Sequence, residues 1–142
     1  MKKFWLSLLS ITLPASAVTF EDNDTVVLLG NTVIERAQKY GHLETAISLS
    51  AGKNNLKFRN LGWSGDTVFG TARSYFGPPK EGFDRLKSDL TELKPNVVIV
   101  CYGAVAAFDG EKGLTEFISG YETLLSMIKS SAAPREIVIV SP

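Results

Sequence analysis

The stretch Thr25-Val-Val-Leu-Leu-Gly-Asn-Thr-Val-Ile-Glu-Arg36 decides the fold. Val26 to Leu29 is an apolar run too short for a helix and branched enough for a buried strand. Gly30 ends the run, and Asn31 or Thr32 then caps a helix whose first turn holds Glu35. A buried strand, a tight turn and an immediate helix make the corner at which open α/β sheets bind ligands.

The same rhythm recurs outward from that corner. The first helix is expected over Thr32–Leu49, with Val33, Ala37, Tyr40 and Ile47 near one face and Gly41 weakening its middle. Ala51 to Asn55 reads as a turn, and a second strand, Leu56–Leu61, runs into Gly62-Trp-Ser-Gly-Asp66. Lys53, Lys57 and Arg59, interleaved with Leu56 and Phe58, read as the solvent side of that strand. Thr67 to Gly82 reads as a packed connector with a short helix, a lid being the alternative.

A second helix follows at about Glu81–Leu93, where Phe83, Leu86, Leu90 and Leu93 keep helical spacing ahead of Pro95. Asn96–Tyr102 is the most apolar run after the leader and reads as a central strand. Gly103 to Lys112 reads as a loop. The third helix, about Leu114–Ser130, carries Leu114, Phe117, Ile118, Tyr121, Leu124, Leu125 and Ile128 on one face, and Glu136–Val140 is a fourth strand. Strands alternating with helices imply a parallel sheet with right-handed crossovers. The expected fold is a three-layer α/β/α sandwich of flavodoxin-like order, 2-1-3-4. In that order strand 136–140 is an open apolar edge, suited to self-association.

The chain has 142 residues, 44% hydrophobic and 21% charged, with a formal net charge of zero. That fits one domain spanning 18–142. Balanced charge offers no footprint for nucleic acid. Lys2 and Lys3, the apolar run Phe4–Leu13 and Pro14-Ala-Ser-Ala17 form a signal peptide over 1–17, with cleavage near Ala17 and export as the expected outcome. The run is about half the length a bilayer span needs, so no membrane span is expected. Cys101 is the single cysteine and His42 the single histidine. No disulfide, metal site or cofactor is expected from them.

Loops that follow parallel strands share one rim. Here that rim would hold Gly30-Asn31-Thr32, Ser64-Gly65-Asp66 and Gly103-Ala-Val-Ala106. In these three segments the sequence resembles the SGNH, or GDSL-type, hydrolases, which are ester and acyl hydrolases. The likeness is strongest in Asn60-Leu-Gly-Trp-Ser-Gly-Asp-Thr67 and extends to Val26–Arg36 and Tyr102-Gly-Ala104.

The resemblance implies that Thr32 stands at the nucleophile position and Asn31 at that of the preceding aspartate. It makes Gly65 a backbone oxyanion donor and puts Val105 in the slot of a donor asparagine. Asn31, Ser64, Asp66 and Gly103 are the candidate ligand-binding residues. A fourth block, Asp-x-x-His, would lie beyond the fourth strand, so the chain is expected to be an incomplete member. A hydroxyl nucleophile needs a base at about 2.6–3.2 Å. His42 would lie roughly 15 Å along the same helix, at about 1.5 Å per residue, and is expected to be a partly buried helix residue. Trp63 reads as core, or as a stacking surface for a sugar.

The expected function is an exported hydrolase-type domain, of weak activity, for a small ester or acylated carbohydrate. A non-catalytic binding or subunit-interaction module on the same fold is the alternative.

Overall fold

The computed structural model describes residues 18–53 and 55–141; the expected leader, 1–17, lies outside the described residues. Four parallel strands, β1 (Thr25–Gly30), β2 (Lys57–Gly62), β3 (Val97–Cys101) and β4 (Glu136–Ile139), form one sheet in the order β2-β1-β3-β4. This is the order expected from the sequence. Side chains alternate across the sheet, so each apolar run feeds two cores. Val27, Leu29, Val98 and Val100 meet Leu86 and Leu90 of α3 (Pro79–Leu93) and Leu124 and Ile128 of α4 (Leu114–Ala132). Val26, Leu28, Val97 and Ile99 meet Ile34 of α1 (Thr32–Ala37) and Leu43 and Ile47 of α2 (His42–Ala51).

Helices therefore cover both faces, which is why β1 and β3 are unbroken apolar runs. Val26 to Leu29 are 0% exposed. At about 1.5–3 kcal/mol for each fully buried aliphatic side chain, this one strand contributes as much as the net stability of a small domain.

The helix expected over Thr32–Leu49 is two helices. Gly41 adopts the left-handed conformation (φ 64°, ψ 16°) and begins α2, a conformation that costs a β-carbon roughly 1–2 kcal/mol. The break also changes the buried face. Ile34 is buried, whereas Val33 and Tyr40, expected on the inner face, are 57% and 67% exposed. On α4 the buried row is Gly120, Leu124, Met127 and Ile128. Leu114 and Ile118 are exposed, at the start of α4 where it follows directly on a 3-10 segment, Ala106–Gly113. That segment replaces most of the loop expected over Gly103–Lys112. The connector after β2 contains a 3-10 turn, Thr71–Ser74.

Gly30 pairs in register with both Gly62 and Cys101. The turns after β1, β2 and β3 thus leave the sheet along a single rim. At Gly62 an added β-carbon would lie 2.2 Å from the Glu35 amide nitrogen. Only glycine lets α1 lie directly on the end of β2.

Candidate functional site

The rim is built around α1. Asn31 is buried, and its Oδ1 accepts from the Val33 N–H at 3.3 Å, capping the helix. Thr32 follows as the first helical residue. Asn60 ties β2 to this helix: its Nδ2 donates to the Ile34 carbonyl at 2.7 Å, and its Oδ1 accepts from the Gly62 N–H at 2.8 Å. The Trp63 N–H reaches the Gly30 carbonyl at 3.0 Å, and the Asp66 N–H closes a turn onto the Trp63 carbonyl at 3.0 Å. This turn carries Gly65 over α1, and its N–H donates to Thr32 Oγ1 at 3.3 Å. Two residues singled out from separate segments, Thr32 and Gly65, are in direct contact.

The other candidates divide around that contact. The Ser64 hydroxyl donates to the Glu35 carboxylate. Asp66 is 0% exposed and turned inward. Its Oδ2 takes Arg73 Nε at 2.6 Å and the Tyr102 hydroxyl at 2.8 Å, and its Oδ1 takes the Ala72 N–H at 3.3 Å. Arg73 also donates to the Leu61 carbonyl. Burial, reinforced by the adjoining Asp66 charge, pushes the Tyr102 phenol well above its ordinary 10. The carboxylate named as a ligand candidate thus locks the ends of β2 and β3 to the connector.

Arg73 and Tyr102 were missed by sequence reasoning. The only signal available was a cation between Phe69 and Tyr75 in the connector, seven residues after Asp66. A 3-10 turn must form before Arg73 reaches Asp66.

Gly103 and Val105 line a cavity of about 520 Å³ with Val68, Phe69 and Phe117. Asp66 borders it too, but Thr32 and Gly65 do not. The rim therefore has a polar corner at Thr32, Ser64 and Gly65 and an apolar hollow starting one residue beyond Gly65.

His42, expected to be partly buried, is exposed at the start of α2 because the chain breaks at Gly41. Its ring stacks on Tyr40, with centroids 5.7 Å apart. Thr32 Oγ1 bonds no carboxylate or imidazole among the described residues. Cys101 is buried, and burial pushes its thiol up, against thiolate chemistry. Trp63 is half-buried, edge-on to Tyr75 at 5.6 Å and beneath the Arg73 guanidinium. Among the described residues no group of three His, Cys, Asp or Glu side chains could hold a metal ion, and no helix is long and apolar enough to cross a membrane.

No family model and no curated protein matches the sequence. Solved structures do share the fold. A gut microbial diltiazem-metabolizing enzyme aligns at TM-score 0.63 and 20% identity, over 86% of this chain and 28% of that one. A catalytic mutant of Axe2, an acetylxylan esterase from Geobacillus stearothermophilus, aligns at 0.61 and 15% identity, over 86% of this chain and 61% of that one. LAE5, an alpha/beta hydrolase enzyme from the metagenome of Lake Arreo, Spain, aligns at 0.55 and 17% identity, over 84% and 61%. Further Axe2 structures are catalytic mutants changed at a serine and at a histidine. The fold is thus one that hydrolases use. The chain spans about three-fifths of the Axe2 and LAE5 chains and little over a quarter of the first.

Proposed function

We propose that the chain is a hydrolase-type domain of the SGNH kind whose Thr32–Gly65 corner holds the carbonyl or carboxylate oxygen of a small ester or its acid. The contact of the Gly65 N–H with Thr32 Oγ1 carries this reading. A backbone N–H directed at the hydroxyl in the nucleophile position also faces the place where an ester carbonyl would develop charge. The acetylxylan esterase among the fold neighbours favours the same substrate class, acylated carbohydrate included.

Binding is expected to exceed turnover. Among the described residues Thr32 has no base at hydrogen-bond distance, and an unassisted hydroxyl is a weak nucleophile. Val105 offers no side-chain donor, and one missing oxyanion donor typically costs about 10²–10³ in rate. The purified chain is expected to hydrolyse 4-nitrophenyl acetate no faster than its Thr32→Ala variant. A rate that vanishes in the variant would overturn the binding reading.

Two further elements belong to this proposal. Export after cleavage near Ala17 rests on the pattern Lys2-Lys3, Phe4–Leu13 and Pro14–Ala17, and N-terminal sequencing of protein from the producing cell tests it. Self-association through 136–140 rests on an outermost β4 with Ile139 56% and Val140 41% exposed. Light scattering should show a dimer or larger that Ile139→Lys dissociates.

A further inference from the structure

The cavity that Asp66, Gly103 and Val105 line lies outside the Thr32–Gly65 contact. Its volume, about 520 Å³, falls within the roughly 300–1,000 Å³ of small-molecule sites. Val68, Phe69, Val105, Ala106 and Phe117 give it apolar walls. The two buried polar side chains of the lining, Asp66 and Tyr102, are already engaged. The Tyr102 hydroxyl is bound to Asp66 Oδ2 at 2.8 Å, and that carboxylate is neutralised by Arg73. The wall at Phe69 is braced by α4, since a β-carbon at Gly120 would come within 2.6 Å of the ring. The hollow is therefore formed without a ligand, and burying apolar groups in it leaves the Tyr102 hydroxyl paired.

We propose that this cavity receives the uncharged apolar acyl or aryl group of a ligand, one longer than acetyl, whose carbonyl lies toward Gly65. The orientation of the ligand rests on the reading of the Thr32–Gly65 corner; the occupancy of the cavity does not. Asp109 and Glu116 stand at the lining beside Lys112, so a neutral group enters more readily than a fatty carboxylate.

The test uses non-hydrolysable N-methylamides of acetic, butanoic and hexanoic acids, titrated into the full chain and followed by amide NMR. Each added methylene should lower Kd about fourfold until the cavity fills, with shifts at Gly103, Val105 and Ala106. Ala106→Trp, checked for folding by circular dichroism, should abolish the gradient, and Thr32→Val, which removes the present acceptor of the Gly65 N–H, should preserve it while shifting the affinity of all three probes alike. Equal affinities for the three amides, or a gradient that survives Ala106→Trp, would overturn the proposal. A gradient unaffected in any way by Thr32→Val would support the cavity and refute the corner as the carbonyl site.

Discussion

Replacing Arg73 by methionine is expected to cost about 3–5 kcal/mol of stability, the range for breaking a buried ion pair from one side. Arg73 and Asp66 side chains are 6% and 0% exposed, with Nε 2.6 Å from Oδ2. Methionine replaces the aliphatic stem but leaves the carboxylate with only the Tyr102 hydroxyl at 2.8 Å and the Ala72 N–H at 3.3 Å. The Leu61 carbonyl loses a donor as well. Lys80 and Asp84 supply the contrast within the same molecule, a pair 81% and 55% exposed; Lys80→Met should cost no more than about 0.5 kcal/mol. Urea unfolding followed by tryptophan fluorescence at neutral pH measures both, Trp63 lying against Arg73. A domain of this size has about 5–15 kcal/mol to lose, so Arg73→Met should still fold. A deficit below about 1 kcal/mol, indistinguishable from Lys80→Met, would refute the claim that this pair is desolvated and locks the rim.

Other outcomes follow from single backbone and side-chain features. Ala133 ends α4 in the left-handed conformation (φ 44°, ψ 50°), so Ala133→Gly should raise stability by about 0.5–1 kcal/mol, visible as a Tm higher by a few degrees in a circular-dichroism melt; an unchanged or lower Tm refutes it. Burial first, then Asp66, raises the Tyr102 pKa, so above pH 10 the unfolded chain releases that proton before the folded one does. Stability should then fall with rising pH by up to about 1.4 kcal/mol per unit from this group. Tyr102→Phe should be less stable at pH 7 yet show a shallower decline between pH 10 and 11, and equal slopes in urea unfolding would contradict the assignment.

The layers were legible because burial on both faces leaves a direct trace. Val26–Leu29 and Val97–Val100 are apolar without alternation, and two such runs separated by helices leave few topologies. The break at Gly41 was not legible in that way. A glycine inside a helical pattern weakens a helix or turns it, and only packing decides which. The exposed start of α4 escaped for a similar reason: Leu114 and Ile118 keep the helical period, but the period does not say how far along the helix the packed face extends.

Within the site, Thr32 and Gly65 could be paired from their positions because each follows the end of a neighbouring strand by two or three residues. The partnership of Asp66, Arg73 and Tyr102 joins three segments through side chains, and no spacing rule announces it. The cavity is further from the sequence still, since its walls bring Val68 and Phe69 of the connector together with Val105, Ala106 and Phe117.

Neighbouring parallel strands deliver the Thr32 hydroxyl to the Gly65 N–H. Amide NMR of Thr32→Val, which removes the acceptor at nearly constant volume, tests it most directly. The Gly65 amide is expected to shift and to exchange faster with solvent, while the Gly70 amide, bonded to the Thr67 carbonyl, stays in place. A Gly65 resonance unmoved in that variant would contradict it.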